Sequence, residues 1–259
     1  MTDLAGRHAL VTGAGGGIGS AIARALAEAG ARVTLAGRRR APLIAAASAL
    51  SEGRARAADG FDVTDEAAIA RGFAEARAAF GPVEILVNNA GEAPSASFAK
   101  MDPVFWSRVI ATDLTSVYLV TRAALPDLKA AGARARIVNV ASTAGLRGYS
   151  YVSAYAAAKH GVIGLTRSLA LELAATGVTV NAVCPAFTET PLLQRAIENI
   201  VAKTGRTETE ARAELAKGIP LGRLAKPEDI AGAVMWLVSE AAGFVTGESI
   251  SISGGEVMR

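Results

Sequence analysis

Short apolar runs rich in branched side chains alternate with Ala-, Leu-, Glu- and Arg-rich stretches of helical period along most of this chain. Strands buried on both faces read as continuous apolar runs, and an intervening helix returns the chain for parallel pairing. The alternation predicts an α/β fold, a single doubly wound domain over residues 1–259 with a parallel sheet of about seven strands and helices on both faces. We expect strands at 7–11, 32–36, 54–60, 85–88, 136–141, 178–183 and 249–253, and helices at 18–29, 41–51, 66–80, within 103–131, 155–175 and 227–238.

Composition argues against several other classes of protein. Of the 259 residues 51% are hydrophobic, and the formal net charge is only +3, which is unlike a disordered chain. One cysteine, Cys184, excludes an intramolecular disulfide framework, and two histidines argue against a metal centre, so we expect no metal. The chain lacks a basic stripe with interleaved aromatics, an apolar run of membrane length and a secretory leader. We therefore expect a cytoplasmic protein that binds neither nucleic acid nor membrane.

Glycines are concentrated at 13–19, between the first predicted strand and the first predicted helix. Glycine allows positive φ and lets the backbone approach a pyrophosphate without a Cβ in the way, while the helix start offers N–H groups to phosphates. The run predicts a Rossmann-type dinucleotide-binding turn, although a turn that only packs a helix onto a strand would have the same composition. The expected cofactor contacts in this turn are Gly13, Gly16, Gly17, Ile18 and Gly19.

The choice of dinucleotide depends on the end of the second predicted strand, where Arg38 and Arg39 follow Gly37. An acidic side chain there would bind the ribose hydroxyls of NAD(H) and repel the 2′-phosphate of NADP(H). An arginine fork instead matches a phosphate in charge and geometry, so Arg38 and Arg39 favour NADP(H). The same arginines could be an ordinary solvated helix start, and the glycine-rich turn contains no Arg or Lys, so NAD(H) stays possible.

A tyrosine and a lysine four residues apart, Tyr155 and Lys159, share one face of a predicted helix. The pKa of a tyrosine hydroxyl is about 10, and a nearby ammonium together with a cationic nicotinamide would lower it toward neutrality. Ser142 follows the fifth predicted strand, where loops at the carboxyl ends of parallel strands form a ligand crevice, and its hydroxyl could hold a carbonyl or alcohol oxygen. Each signal alone is weak, since surface pairs and serines at strand ends are common.

In the order and spacing of its motifs the chain resembles the short-chain dehydrogenase/reductase family over about residues 7–255. The motifs are the glycine spacing Gly13, Gly17, Gly19, the run Asn88-Asn89-Ala90-Gly91, and Ser142 with Tyr155 and Lys159. The resemblance implies that Tyr155 is the general acid/base, that Lys159 adjusts its pKa and binds ribose, and that Ser142 polarises the substrate. It also implies cofactor contacts at Asp62, Val63, Asn89, Ala90, Gly91, Tyr155, Lys159, Pro185 and Thr188.

Two positions depart from the family pattern. The family usually has an asparagine in the helix after Trp106, where it kinks the helix and holds a water in a proton relay to the lysine; this chain has Asp113. We expect Asp113 to take that catalytic place and to stabilise charged Lys159. After the sixth predicted strand, Pro185-Ala186 stands where the family prefers Pro-Gly, which we expect to be a mild change.

A substrate lid is predicted at about 188–222, a stretch long enough for two helices over the crevice. Its apolar residues Leu192, Leu193 and Ile197 would face an apolar substrate, and Arg195 is a candidate for an anionic group. A surface helix pair with a buried Leu stripe fits the same pattern. Tyr149 and Tyr151, in the loop after Ser142, are further candidates for lining the pocket, whereas Cys184 and His160 are interpreted as structural.

The resemblance also implies assembly and activity. The family forms one dimer interface through the helix pair around 114–128 and 155–175 and a second through the last strand, so we expect a homotetramer. The leading hypothesis is an oxidoreductase that moves a hydride between a nicotinamide dinucleotide, NADP(H) favoured, and a secondary alcohol or ketone as small-molecule substrate. The alternatives are an NAD-dependent dehydrogenase of a hydroxy acid or 3-hydroxyacyl-type substrate, and a catalytically silent dinucleotide-binding sensor.

Overall fold

One parallel sheet forms the centre of the computed structural model, which describes residues 3–51 and 53–258. Within these ranges its seven strands are β1 (His8–Thr12), β2 (Arg32–Ala36), β3 (Ala55–Ala58), β4 (Ile85–Asn88), β5 (Arg136–Val140), β6 (Thr179–Pro185) and β7 (Ser249–Ile252). They pair in the order β3-β2-β1-β4-β5-β6-β7. The order reverses direction between β1 and β4, which makes the sheet doubly wound, so the predicted fold class is confirmed.

Helices connect the strands and cover the sheet. They are α1 (Gly17–Glu28), α2 (Arg40–Ser48), α3 (Glu66–Phe80), α4 (Pro103–Ile110), α5 (Ser116–Ala131), α6 (Ser153–Leu173), α7 (Pro191–Thr204), α8 (Glu208–Ala216) and α9 (Pro227–Leu237). The bounds differ from the predicted ones by about one helical turn at most, as expected for fraying helix ends. In the part of the chain that the structure describes, no helix combines the length and apolarity needed to cross a bilayer.

Side chains alternate between the two faces of the sheet, as the pleat of a strand requires. In β1, Ala9 and Val11 pack against α1, α2 and α9, whereas Leu10 faces α3, α5 and α6. Both faces are therefore covered, and every residue of β1 is buried. This two-sided burial explains why the strands read as continuous apolar runs and not as alternating ones.

The stretch 103–131 contains helix, as predicted, but in two pieces. Between α4 and α5 the residues Ala111–Thr115 form a π-helical turn. A π turn widens the backbone ring to i→i+5 hydrogen bonds and rotates the positions that follow it, and such turns occur frequently at functional sites. Asp113 lies at the middle of this turn and is fully buried.

The carboxyl ends of the parallel strands meet along one edge of the sheet. Thr12, Asn88 and Pro185 end β1, β4 and β6 there, and Ser142 follows β5 by two residues. The residues that the sequence singles out lie in the loops and helix starts along this edge. Open α/β sheets bind ligands in the crevice at this edge, next to the point where the strand order reverses.

Candidate active site

The glycine-rich turn leaves the start of α1 without a side-chain cap. The N-cap residue, Gly16, has no side chain that could accept a hydrogen bond, and the first turn of α1 contains no acidic residue. The first N–H groups of a helix have no acceptor within the helix, and they form the positive end of its dipole. The turn therefore presents N–H donors that suit an anionic group such as a phosphate.

The fold itself requires glycine at some positions of this turn, because of packing or backbone conformation. At one position, Gly16, no contact within the protein requires it. A Cβ at Gly19 would lie 2.5 Å from both Gly13 O and Asn89 Nδ2. Gly13 and Gly17 have φ values of +66° and +56°, which side chains disfavour. At Gly16 a Cβ would meet nothing within 4 Å, so the fold itself tolerates a larger residue there. This open position is where a ligand could approach the backbone closely.

The ends of β1 and β4 are joined through Thr12 and Asn89. Thr12 Oγ1 accepts hydrogen bonds from the backbone N–H groups of Asn89 and Ala90, both at 3.0 Å. Asn89 Nδ2 donates to Thr12 O at 2.9 Å, so the Asn89 side chain is used to hold the two strand ends together. Thr12 was not among the predicted site residues, and its place directly before Gly13 is the signal that could have identified it.

A buried ladder of polar side chains continues from Asn88. Asn88 Nδ2 donates to Thr121 Oγ1 and to Asn139 Oδ1, each at 2.9 Å. Asn139 Nδ2 in turn donates to Thr166 Oγ1 at 2.9 Å. These bonds link α5, β4, β5 and α6 beneath the crevice. Sequence reasoning missed Asn139, although an amide side chain between the apolar residues Val138 and Val140 of β5 was a usable signal.

The end of β2 lies beside the glycine-rich turn. A Cβ at Gly15 would be 3.1 Å from Pro42 Cβ, so the turn contacts the start of α2 directly. Arg38 and Arg39 lie just before α2, and both are exposed. The structure therefore brings two predicted cationic residues next to the turn that presents backbone N–H groups.

Asp62 and Val63 face the same region from the loop after β3. The Asp62 carboxylate accepts the hydroxyl of Thr64 at 2.7 Å and its backbone N–H at 2.9 Å. These hydrogen bonds, helped by the charge of Arg38, lower the pKa of Asp62 below its ordinary value. Val63 is nearly buried. Asp62 is thus a fixed anionic acceptor close to Arg38.

Ser142 and Tyr155 approach each other across the crevice. Ser142 Oγ accepts the backbone N–H of Ala144 at 3.1 Å, which orients the hydroxyl, and Ser142 also hydrogen-bonds the Tyr155 hydroxyl. Burial raises the pKa of Tyr155 above its ordinary value, and the opposing effects of Lys159 and Ser142 only partly offset that rise. Lys159 does lower the pKa of Tyr155, as expected. In the protein without a bound dinucleotide, however, burial raises this pKa by more than Lys159 lowers it.

The ammonium group of Lys159 is buried at the centre of the site. Lys159 Nζ lies 5.6 Å from the ring centroid of Tyr155 and donates to Val140 O at 3.1 Å. The same Nζ is 3.5 Å from Asp113 Oδ1, and the two side chains are only 5% and 0% exposed. The predicted pair of Tyr155 and Lys159 on one helix face is therefore observed, together with a buried counter-charge.

Asp113 has few partners for a buried carboxylate. Its Oδ1 accepts the backbone N–H of Glu92 at 3.1 Å, whereas its Oδ2 has no hydrogen-bond partner among the described residues. Burial raises the pKa of Asp113 to about 6, and Lys159 opposes this rise. A Cβ at Gly91 would lie 2.5 Å from Asp113 Oδ1, so the glycine that closes the Asn-Asn-Ala-Gly run makes room for this carboxylate.

The loop after β6 connects the sheet to the segment predicted to be a lid. Pro185 is the last residue of β6, and the Thr188 hydroxyl donates to Ala186 O at 2.9 Å. Thr190 caps the start of α7, and a Cβ at Gly17 would lie 3.0 Å from Thr190 Cγ2. The lid therefore begins in direct contact with the glycine-rich turn.

The segment predicted to be a lid forms two helices, α7 and α8, but its apolar residues mostly face each other. Leu193 and Ile197 are buried in a cluster with Ala211 of α8, so the prediction that they face substrate is wrong. Two short helices need such an apolar contact to pack, and this is the buried stripe considered as an alternative above. Leu192 and Arg195 are exposed.

The structure also places the remaining candidates, of which Cys184 and His160 were interpreted as structural and Tyr149 and Tyr151 as pocket-lining residues. Cys184 is buried in β6, and His160 Nδ1 lies 2.8 Å from Ala156 O on its own helix. Tyr151 is 68% exposed, and Tyr149 contacts Glu256. Across residues 3–51 and 53–258, no three His, Cys, Asp or Glu side chains are grouped so that they could hold a metal ion.

Comparison with known proteins assigns the chain to a family. Residues 7–200 match the short chain dehydrogenase family. The chain belongs to the short-chain dehydrogenase/reductase family. As a member of this family it is an NAD(P)-dependent oxidoreductase. The uncapped start of α1 and the open position at Gly16 fit a dinucleotide phosphate, and Tyr155 lies at the same sheet edge together with the buried Lys159.

This short-chain dehydrogenase is similar to both reductases and dehydrogenases. It is 41% identical over 257 residues to a Streptomyces virginiae protein assigned as the ketoacyl reductase of the monensin polyketide synthase, with 98% of each chain covered. It is 41% identical to the D-β-hydroxybutyrate dehydrogenase of Cupriavidus necator, with 98% of this chain and 99% of that one covered. A crystal structure of a tryptophan variant of actinorhodin polyketide ketoreductase with NADPH superimposes with a TM-score of 0.90 at 37% identity, over 96% of this chain and 97% of that one.

Two glycine substitutions should separate cofactor contact from folding. Gly16→Ala should leave the thermal midpoint of the dinucleotide-free protein unchanged, since its Cβ meets open space, and should raise the dinucleotide Kd roughly ten-fold. Gly19→Ala should lower the thermal midpoint, because its Cβ would overlap Gly13 O and overpacking costs about 1–3 kcal/mol. Thermal unfolding and fluorescence titration measure the two effects, with exposed Gly232→Ala as the control. Unchanged dinucleotide affinity in Gly16→Ala would show that no phosphate approaches this backbone.

Proposed function

We propose that this protein interconverts a ketone and a secondary alcohol with NADP(H) as the preferred dinucleotide and Tyr155 as general acid/base. The observation that carries the proposal is the convergence of Ser142 and Lys159 on Tyr155 at the carboxyl edge of the sheet. A nicotinamide dinucleotide, when bound, supplies or accepts the hydride at the carbon that carries the substrate oxygen. The protein's own residues then have to hold that oxygen and move one proton.

Ser142 is suited to hold the substrate oxygen. Ala144 N–H fixes the Ser142 oxygen, which leaves the hydroxyl proton to be donated toward the crevice and Tyr155. A hydrogen bond from Ser142 to a carbonyl oxygen would stabilise the negative charge that develops there during reduction. In this proposal Ser142 orients the oxygen within reach of the Tyr155 hydroxyl.

Tyr155 is suited to donate the proton. Because burial raises the pKa of Tyr155, the hydroxyl is protonated at neutral pH, which is the form that carbonyl reduction requires. After donation the phenolate is stabilised by the buried ammonium of Lys159. Alcohol oxidation requires the Tyr155 phenolate at the outset, so the rate of oxidation should increase at higher pH.

Asp113 is suited to keep Lys159 charged. A buried ammonium is stable only when it is paired or hydrogen-bonded, and Asp113 Oδ1 lies 3.5 Å from Lys159 Nζ. The same carboxylate raises the pKa of Tyr155, because a negative charge disfavours the phenolate. We therefore propose that Asp113 takes the relay place of the family's asparagine as a positioning residue. The buried Oδ2, which has no protein partner among the described residues, provides an acceptor for a relay water.

The preference for NADP(H) rests on Arg38 and Arg39. Both are exposed beside the glycine-rich turn, where an adenosine 2′-phosphate could be bound by a guanidinium group. The actinorhodin ketoreductase, to which this chain is similar, was solved with NADPH. We propose that Asp62, Val63, Asn89, Ala90, Gly91, Pro185 and Thr188 complete the dinucleotide site together with the glycine-rich turn.

Two other functions stay open. The similarity to D-β-hydroxybutyrate dehydrogenase favours an NAD-dependent dehydrogenase of a hydroxy acid or 3-hydroxyacyl-type substrate as the second candidate. A catalytically silent sensor has less support, since Ser142, Tyr155 and Lys159 are all present and in contact range.

We also propose a single cytoplasmic domain that assembles as a homotetramer with a lid at about 188–222. Large apolar side chains are exposed on α5, on α6 and on the segment between α9 and β7, namely Tyr118, Leu171 and Phe244. Exposed apolar groups of this size commonly mark protein interfaces, and closed symmetry would bury each of them against a second copy.

Replacing Tyr155 tests the general acid/base. Tyr155→Phe should reduce kcat for ketone reduction roughly 100- to 10,000-fold, the usual contribution of a positioned acid, while the dinucleotide Kd changes little. The measurement is dinucleotide consumption over a panel of ketones and secondary alcohols, with NADPH and NADP+ and again with NADH and NAD+. Exposed Tyr118→Phe on α5 is the matched control. Dinucleotide binding without turnover of any substrate by the unaltered protein would instead favour the sensor.

Replacing Asp113 tests its charge. Asp113→Asn keeps a side-chain acceptor for Glu92 N–H but removes the negative charge that raises the pKa of Tyr155. The variant's Tyr155 pKa should therefore be lower, and its pH profile for alcohol oxidation should shift to lower pH. The wild-type profile should also contain a transition near pH 6, where Asp113 ionises, that is absent from the variant. Exposed Asp59→Asn is the control, and superimposable profiles for the wild type and Asp113→Asn would contradict the assignment.

Replacing Arg38 tests the dinucleotide preference. Arg38→Ala should raise the Kd for NADPH roughly ten-fold or more, because a charge-assisted phosphate contact is lost, and should leave the Kd for NADH unchanged. Arg40→Ala, at the first residue of α2, controls for general loss of positive charge. A wild-type protein that uses NADH ten-fold more efficiently than NADPH would overturn the argument from Arg38.

A further inference from the structure

The segment that follows β7, residues 253–257, forms a tight turn, called here the post-β7 turn. Ser253 Oγ accepts the backbone N–H of Val257 at 3.2 Å, and Ser253 O accepts that of Glu256 at 3.1 Å. Ser251 Oγ donates to Val257 O at 3.2 Å. Gly254, with φ +58°, and the following residue, also at positive φ, let the chain turn sharply. The turn is thus held by its own side chains and is not a loose extension of the strand.

One side of the post-β7 turn packs against the far end of the lid. Leu221 N donates to Gly254 O at 3.1 Å, and a Cβ at Gly254 would lie only 2.7 Å from Ile219 Cγ2. A Cβ at Gly255 would lie 3.0 Å from Pro220 Cγ. A cavity of about 280 Å³ lies beside the same contacts. The post-β7 turn is therefore one support of the lid end, beside the apolar cluster that contains Ile219 and Leu224.

The other side of the post-β7 turn contacts the loop after Ser142. Glu256 Oε1 accepts the Tyr149 hydroxyl at 2.8 Å and Arg147 Nη2 at 3.2 Å. The Arg147 guanidinium stacks over the Tyr149 ring, 4.5 Å from its centroid. The Glu256 side chain is only 5% exposed. A carboxylate removed from water to this extent needs such partners, so the contact between the turn and the loop is specific.

The contacted loop carries part of the proposed catalytic machinery. Residues 143–152 connect Ser142 to the start of α6, which bears Tyr155. The N–H of Arg147 donates to Thr143 O at 3.0 Å, and the Thr143 side chain hydrogen-bonds the Tyr149 hydroxyl. Holding Arg147 and Tyr149 therefore also holds the residue next to Ser142.

Backbone strain in this loop indicates that it needs outside support. Tyr151 has φ +67°, and within the described residues it is the one non-glycine residue with positive φ. A bulky residue adopts this conformation at a cost of order 1–3 kcal/mol, and it persists only where the surroundings impose it. Tyr151 is largely exposed, and Ala96 N donates to its carbonyl at 2.8 Å. The Glu256 contacts hold the same loop from outside through Arg147 and Tyr149.

We propose that Glu256 is a positioning residue, through which the post-β7 turn braces the Ser142 loop against the end of the lid. The proposal rests on the proposed function only in its catalytic consequence: a loosened loop would misplace Ser142 and weaken its hold on the substrate oxygen. Displacement of a catalytic group by about 1 Å can cost roughly 100-fold in rate.

The proposal predicts a specific loss in Glu256→Ala and Tyr149→Phe. Backbone amides at 145–147 should exchange with deuterium at least about ten-fold faster in Glu256→Ala than in the wild type, because their hydrogen bonds to Ser142 and Thr143 open more often. The kcat for ketone reduction should fall roughly 10- to 100-fold while the dinucleotide Kd stays the same. Tyr149→Phe should lower kcat in the same way but by less. The double variant should have the same kcat as Glu256→Ala, because both substitutions remove the same hydrogen bond between Tyr149 and Glu256.

Glu248→Ala is the matched control, since Glu248 is exposed and precedes β7 in the same part of the chain. Deuterium exchange at 145–147 equal to that of the control would overturn the brace, whatever substrate the enzyme uses. Faster exchange with an unchanged kcat would overturn the positioning role of Glu256. A wild-type protein that turns over no ketone or alcohol would refute the proposed function, while the exchange measurement would still decide on the brace.

Discussion

The buried ammonium of Lys159 is the constraint around which the candidate site is built. A charge taken out of water is costly unless other groups replace its hydration, and here those groups come from separate elements. The carbonyl of Val140 comes from the end of β5, and the carboxylate of Asp113 comes from the π turn between α4 and α5. Tyr155 lies one turn earlier on α6, so its ring is close to a positive charge that the fold holds in place.

Along the carboxyl edge of the sheet, the groups suited to bind the dinucleotide lie apart from the groups suited to transfer a proton. On the β1 and β2 side, the protein offers backbone N–H groups, glycines and cationic side chains, which suit phosphates. On the β5 and β6 side, it offers a hydroxyl pair and a buried ammonium, which suit proton transfer. Thr12 and the Asn88–Asn139 ladder join the two sides beneath the crevice. Because these bonds run between neighbouring strands, the geometry of each side is set by a rigid sheet and not by the loops alone.

The sequence was sufficient for the fold and for the elements that carry the candidate site, because these follow from local signals. Continuous apolar runs identified the strands, and the i,i+4 spacing placed Tyr155 and Lys159 together. Periodicity could not predict the π turn, since a helical period of 3.6 does not reveal where one residue is inserted. Only the family resemblance implied a kink at the position of Asp113. The packing direction of Leu193 and Ile197 depended on α8, a partner that periodicity alone does not identify. The net pKa of Tyr155 was equally inaccessible, because it depends on burial in three dimensions.

The absence of a side chain at Gly91 has a consequence for any redesign of this enzyme. Gly91 and Asp113 are far apart in the sequence, yet a methyl group on the first would occupy the space of the second's carboxylate. Variation at either position therefore changes which residues the other can accept, and effects measured one at a time will not add. A mutant library that alters the charge next to Lys159 therefore has to randomise positions 91 and 113 together, because the two residues share the same space.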